Sequence, residues 1–294
     1  MECEDRCHHA PGPRYDCLLF DLDDTLYPLS SGLAAECRKN IGEYMVQKLG
    51  IEDSKITDLC NLLYKVYGTT MAGLRAIGYY FDYDDYHSFV HGRLPYEKLN
   101  PDPVLRSLLL SLPLRKVIFT NADEIHATKV LKALGLEDCF ERVICFETLN
   151  PTHKNISPDN EGDSEVGGLK LTTPTVKPFD IFGHFSQPDS GSVLPKTPIV
   201  CKPSEAAIER ALEIANINPK RTMFFDDSVR NIQSGKRVGL HTVLVGTSQR
   251  TKGADFALES IHNIREALPE LWEVEEKSEK VYSGKVAIET TVTA

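Results

Sequence analysis

Short apolar runs alternate along this chain with stretches whose apolar residues recur every three or four positions. Runs at 15–21, 116–120, 142–146, 222–226 and 241–245 have the length and composition of buried strands. Helical spacing marks 122–134, closed by Gly135, then 204–215 just after Pro203, and 229–238, closed by Gly239. Strands that alternate with helices predict a mostly parallel sheet covered on both faces, with its chemistry at the carboxyl ends of the strands. Three of the predicted strands end in polar residues, Asp21, Thr120 and Asp226.

The pattern changes between the first two of these strands. Residues 28–100 contain no convincing strand; helical spacing runs over 30–50 and 53–67, with shorter stretches at 70–77 and 83–91. A further helix is predicted over 102–111. The expected organisation is an α/β core, 15–27 and 101–272, interrupted by a helical domain at 28–100. Residues 150–198 are rich in Pro, Gly, Ser, Asp and Thr without any period and are expected to be a disordered insertion, the alternative being an ordered substrate lid. Flexible ends are expected at 1–14 and 273–294.

Composition narrows the function classes. The 294 residues are 41% hydrophobic and 26% charged, as in globular proteins. A net charge of −10, from 43 acidic and 33 basic side chains, argues against nonspecific binding to nucleic acid or anionic lipid. No apolar run reaches the roughly 18–20 residues of a membrane span, and the first residues lack the apolar stretch of a secretory signal. The eight cysteines are scattered, several inside apolar runs, which predicts buried thiols in a reducing, cytoplasmic setting. Cys3, Cys7, His8 and His9 form only a single short cluster, weak as a metal site.

Asp21 and Asp23 stand two residues apart directly after a strand, so in extended geometry their side chains share a side. Two close acids repel and raise one pKa unless a cation neutralises them. Mg²⁺, a hard ion that binds few carboxylates plus substrate phosphate, suits that need. One acid then serves as nucleophile and the other as proton donor. Asp226-Asp227 repeats the arrangement before a helix, where acids are also common caps. Thr120-Asn121 precedes another helix, as an anion site or an ordinary cap. Lys202, just before Pro203, read alone is an ordinary surface charge.

Taken as a set, acid pair, threonine, lysine and acid pair resemble the four motifs of the haloacid dehalogenase (HAD) superfamily, from Tyr15 to about Gly246. The resemblance implies a Rossmann-like parallel sheet with an inserted α-helical cap at 28–100. It implies Asp21 as the nucleophile that becomes an aspartyl-phosphate, and Asp23 as the acid/base. Thr120 and Asn121 would bind phosphoryl oxygens, with Lys202 neutralising their charge. Asp21, Asp227 and the backbone carbonyl of Asp23 would hold Mg²⁺, with Asp226 in support and the division between Asp226 and Asp227 open. Asp23 favours phosphate esters over carbon–halogen bonds. The block from Leu63 to Leu74 resembles the cap of pyrimidine 5′-nucleotidases, which implies UMP and CMP as substrates and Tyr64, Tyr67 and Arg75 as cap contacts, the alternative being that they pack or sit in water. Another small metabolite, such as a sugar phosphate or pyridoxal phosphate, and a non-catalytic binding protein remain alternatives. No histidine, His126 included, lies in a catalytic spacing.

Overall fold

The computed structural model of the chain describes residues 14–151, 178–186 and 193–272. The Cys3, Cys7, His8 and His9 cluster and the 273–294 tail lie outside the described residues. In chain order, β1 (Cys17–Phe20) leads into α1 (Leu33–Gln47), α2 (Ile56–Tyr67), α3 (Thr70–Ala76) and α4 (Tyr83–Val90). Then come α5 (Pro103–Ser111), β2 (Arg115–Phe119), α6 (Glu124–Leu134), β3 (Arg142–Ile144) and α7 (Phe146–Leu149). After α8 (Ile181–Ser186) follow α9 (Glu205–Ala215), β4 (Thr222–Asp226), α10 (Val229–Val238), β5 (His241–Val245), β6 (Phe256–Leu258) and α11 (Ile264–Ala267).

Six parallel strands form one sheet in the order β3-β2-β1-β4-β5-β6. Burial on both faces explains the continuous apolar runs. Along β1, Leu18 and Phe20 enter the core shared with Leu105, Val130 and Ile264, whereas Cys17 and Leu19 enter the opposite core with Ile208 and Ile232. The chain builds outward from β1 through β2 and β3 on one side, and from β4 through β5 and β6 on the other. That reversal of direction opens a crevice at the carboxyl ends of the central strands.

Local signals set the helix starts. The side chains of Thr69, Asp82, Asp102 and Asp123 accept from the backbone N–H groups of Ala72, Asp85, Leu105 and His126. Helices α1–α4 hold a hydrophobic core of their own around Tyr44, Met45, Leu63, Leu74 and Val90. Among the described residues no helix is long and apolar enough to cross a membrane.

Three differences from the sequence expectation stand out. Part of 150–198 is ordered, because α8 and residues 193–200 pack on the helical block. Phe179 N–H donates to Ile77 O at 2.8 Å, Tyr67 OH to Pro195 O at 3.0 Å, and Thr197 Oγ1 to Ala72 O at 2.8 Å. Ile181 stands beside Phe179 and Phe182, and Ile199 beside Val200, in groups too short to leave a periodic trace. Residues 152–177 and 187–192 lie outside the described residues. The predicted strand at 142–146 ends at Ile144, and Phe146 opens α7 instead. β6, only three residues long, has too little pattern to be legible.

Candidate active site

Strands β2, β1 and β4 are neighbours, so their ends lie side by side. Asp21 extends the β1 ladder, its N–H donating to Phe225 O at 2.8 Å, and Thr120 extends β2, donating to Ile144 O at 2.9 Å. Asp226 closes β4. Lys202 enters from the segment before α9 and is only 1% exposed. Its Nζ donates to Asp21 Oδ1 at 2.6 Å, to Asp226 Oδ2 at 2.8 Å and to Phe119 O at 2.8 Å. All three ammonium protons are thereby spent. Burial alone would lower the Lys202 pKa, but Asp21 and Asp226 outweigh it and hold the ammonium charged, above the usual lysine range.

The surrounding residues fix this triad. Asp226 also accepts from Ser228 N–H at 2.8 Å and from Asn231 Nδ2 at 2.9 and 3.1 Å. Thr25 Oγ1 donates to Asp21 Oδ2 and accepts from Asp227 N–H, each at 3.1 Å. Asn121 Nδ2 donates to Lys202 O at 3.0 Å and its Oδ1 accepts from Lys202 N–H at 2.8 Å, which positions the lysine segment and leaves the second Nδ2 proton without a described partner. Thr120 Oγ1 accepts from Ala122 N–H at 3.0 Å, and its own proton goes to no described residue. Gly68, with φ of +92°, lets the end of α2 meet this segment: a Cβ there would stand 2.4 Å from Lys202 O.

The acids outnumber this one cation. Oxygens of Asp21, Asp226 and Asp227 lie within 4.8 Å of one another. Burial pushes Asp21 well up, Lys202 opposing it and Asp226 adding to it. Asp227 is raised to about 7 by burial and then by Asp226; Asp24 is raised to about 6 by burial and then by Asp23. Asp24 Oδ1 is buried without a hydrogen-bond partner. A buried oxygen with no donor and carboxyls raised by burial and by one another are the marks of missing positive charge, and an all-oxygen donor set fits a hard divalent ion such as Mg²⁺. Asp226 already accepts several hydrogen bonds, which leaves the exposed Asp227 carboxylate as the readier ligand.

Asp23 turns its carboxylate elsewhere. His126 Nε2 lies 2.7 Å from Asp23 Oδ1, and Tyr27 OH donates to the same oxygen at 2.5 Å. Burial would raise Asp23, but the His126 charge outweighs it and pulls the acid to about 2. Burial would lower His126, and Asp23 reverses that, so the imidazole is raised and holds the proton of the pair. Sequence reasoning found no catalytic spacing for His126. The available signal was its place in the first turn of α6, the helix that follows Thr120.

Above these groups is a cavity of about 550 Å³ between the helical block and the strand ends. Asp23, Asp227 and Asn121 line its floor, and Arg38, Tyr64, Tyr86 and Phe146 line its sides. Of the three expected cap contacts only Tyr64 borders it, with the Arg230 guanidinium 4.2 Å from its ring. Tyr67 is turned to Pro195. Arg75 is spent on Tyr83 OH and Tyr79 O, each at 3.0 Å, and lies over the Tyr80 ring, so both are packing residues of the block. Arg38 and Arg230 border the cavity instead.

A family model described as haloacid dehalogenase-like hydrolase matches residues 169–239, a stretch that includes Lys202, Asp226 and Asp227. The chain is 30% identical over 141 residues to Phosphate metabolism protein 8 of Saccharomyces cerevisiae, which covers 45% of this chain. It spans 44% of that relative's length. Among solved structures it is similar to CbbY from Rhodobacter sphaeroides in complex with phosphate, at 15% identity and a TM-score of 0.50, covering 87% of this chain and 99% of that one. It is also similar to L-2-haloacid dehalogenase from Xanthobacter autotrophicus, at 14% identity and a TM-score of 0.45, covering 86% and 97%. The fold is the Rossmann-like one of HAD hydrolases.

Proposed function

We propose that this chain, which carries the HAD hydrolase fold, is a Mg²⁺-dependent phosphohydrolase that cleaves a small phosphate monoester, with UMP and CMP as its preferred substrates. The observation that carries the reading is Lys202 Nζ held between Asp21 and Asp226, beside the cavity that Asp23, Asn121 and Asp227 line. An anionic nucleophile that approaches an anionic ester needs fixed positive charge at the point of attack. In an acidic chain that charge must be local.

Asp21 attacks phosphorus; the new O–P bond forms as the ester P–O bond breaks, giving an aspartyl-phosphate. The leaving oxygen takes a proton from the protonated form of Asp23, and the carboxylate left behind is the state that His126 and Tyr27 stabilise. Thr120 donates its uncommitted hydroxyl proton to a phosphoryl oxygen, and Lys202 balances the charge. Water then cleaves the aspartyl-phosphate, and Asp23 receives the proton. Asp21 and Asp227 would hold Mg²⁺, which would supply charge neutralisation for the phosphoryl group. The family match, and a relative named for phosphate metabolism, accord with this chemistry.

Support for a nucleotide comes from the cavity. Its volume of about 550 Å³ suits a nucleoside, and Tyr64, Tyr86 and Phe146 offer rings to a flat base. A phosphate-release panel with Mg²⁺ tests both levels. UMP and CMP are expected to turn over fastest, and Asp21→Asn to abolish release. Faster turnover of sugar phosphates or pyridoxal phosphate would end the nucleotide reading and leave the chemistry standing. No release from any ester would end the hydrolase reading and favour a binding role.

A further inference from the structure

Asp23 needs more than a place in the cavity to serve as acid and base. A carboxylate on two rotatable bonds samples several rotamers, whereas proton transfer requires a heavy-atom separation of roughly 2.6–3.2 Å. Both hydrogen bonds to the Asp23 side chain fall on one oxygen, Oδ1, at 2.7 Å from His126 Nε2 and 2.5 Å from Tyr27 OH. No described residue reaches Oδ2, and Asp23 borders the cavity. We propose that His126 and Tyr27 are positioning residues that pin Asp23 by Oδ1 and thereby present Oδ2 to the leaving oxygen of the substrate.

The ring that does this cannot turn. His126 is 2% exposed, and its second nitrogen, Nδ1, lies 2.8 Å from Tyr96 OH. Tyr96 OH donates to His91 O at 3.0 Å, which commits its single proton and leaves its oxygen to accept from Nδ1. The His91 ring stands 4.5 Å from the His126 ring and is itself hydrogen-bonded to Asp123. Asp123 in turn accepts the His126 backbone N–H at 3.0 Å. These supports come from both sides of the cavity: His91 follows α4, Tyr96 belongs to the turn after it, and His126 and Asp123 belong to α6 and its cap.

The inference rests on the phosphohydrolase reading, and leaving-group dependence separates the two. kcat/KM reports the steps through the first P–O cleavage, and a good leaving group such as 2,4-dinitrophenolate departs without a proton donor. For UMP or an alkyl phosphate, His126→Ala and Tyr27→Phe are expected to lower kcat/KM by about 10²-fold, the scale of a misplaced catalytic group. For 2,4-dinitrophenyl phosphate the same variants are expected to stay within about threefold of the wild type, since no general acid is called on. His126→Asn, which keeps an N–H donor, is expected to recover part of the loss. Tyr27→Phe removes a single hydroxyl and keeps the test open if His126→Ala does not fold. Equal losses on both ester classes, or no loss on either, would overturn the positioning role. A wild type inactive on every ester would instead overturn the underlying reading.

Discussion

The floor and the walls of the cavity are built on opposite principles. At the floor, the ends of β1, β2 and β4 are held in register by a parallel hydrogen-bond ladder, and every N–H of Lys202 has a partner. In the helical block, side chains make the surface, and Tyr64 and Arg230 meet it from two elements with part of their surface exposed. The floor is a single arrangement of buried charge that tolerates no removal. The walls are a set of smaller contacts that can vary one at a time. On the proposed function, reaction chemistry belongs to the first and the choice of leaving group to the second.

The sharpest way to break this contrast is Lys202→Met. It leaves Asp21 and Asp226 buried without their cation, and stability is expected to fall by roughly 3–5 kcal/mol in denaturant unfolding. Asp21 is already pushed up by burial, so the variant escapes part of the cost by taking a proton; the loss should be smaller at pH 5 than at pH 8. A loss no greater than that of a surface substitution would erase the distinction.

A second test acts at the rim of the floor. Asp227, raised to about 7, holds a proton below that pH. Because its folded pKa lies above the unfolded one, its contribution favours the fold at acid pH and is lost as pH rises through about 7. Mg²⁺ should therefore raise the unfolding temperature more at pH 8 than at pH 6, with affinity falling by up to roughly tenfold per unit of acidification for one displaced proton. Asp227→Asn should remove that pH dependence; its persistence would mean that other ligands bind the ion.

The smallest effect is expected in the walls. Arg230 lies over the Tyr64 ring and donates to Tyr64 O at 2.7 Å and Lys65 O at 3.1 Å. Arg230→Ala should cost about 0.5–1 kcal/mol, the scale of an exposed cation–π contact, and be read chiefly as a few-fold rise in KM. A collapse of kcat would place Arg230 with the floor.

What could be read from the chain alone was whatever leaves a local trace. The runs ending in Asp21, Thr120 and Asp226 are legible because strands buried on both faces are apolar throughout, and Gly135 and Gly239 mark the ends of α6 and α10 by their left-handed backbone. Tertiary structure alone decided which partner each polar group found. His126 looks like any buried helical residue until Asp23, 103 positions away, is folded against it. Asn121 reads as a cap or an anion ligand, and its grip on the Lys202 backbone 81 positions away appears only in the fold. Ile181 and Ile199 lie in short groups without a period, and only the fold shows that the helical block covers them. Periodicity records which face of an element is buried, but hydrogen-bond partners and cavity walls come from residues far apart in the chain, and no local pattern encodes that meeting.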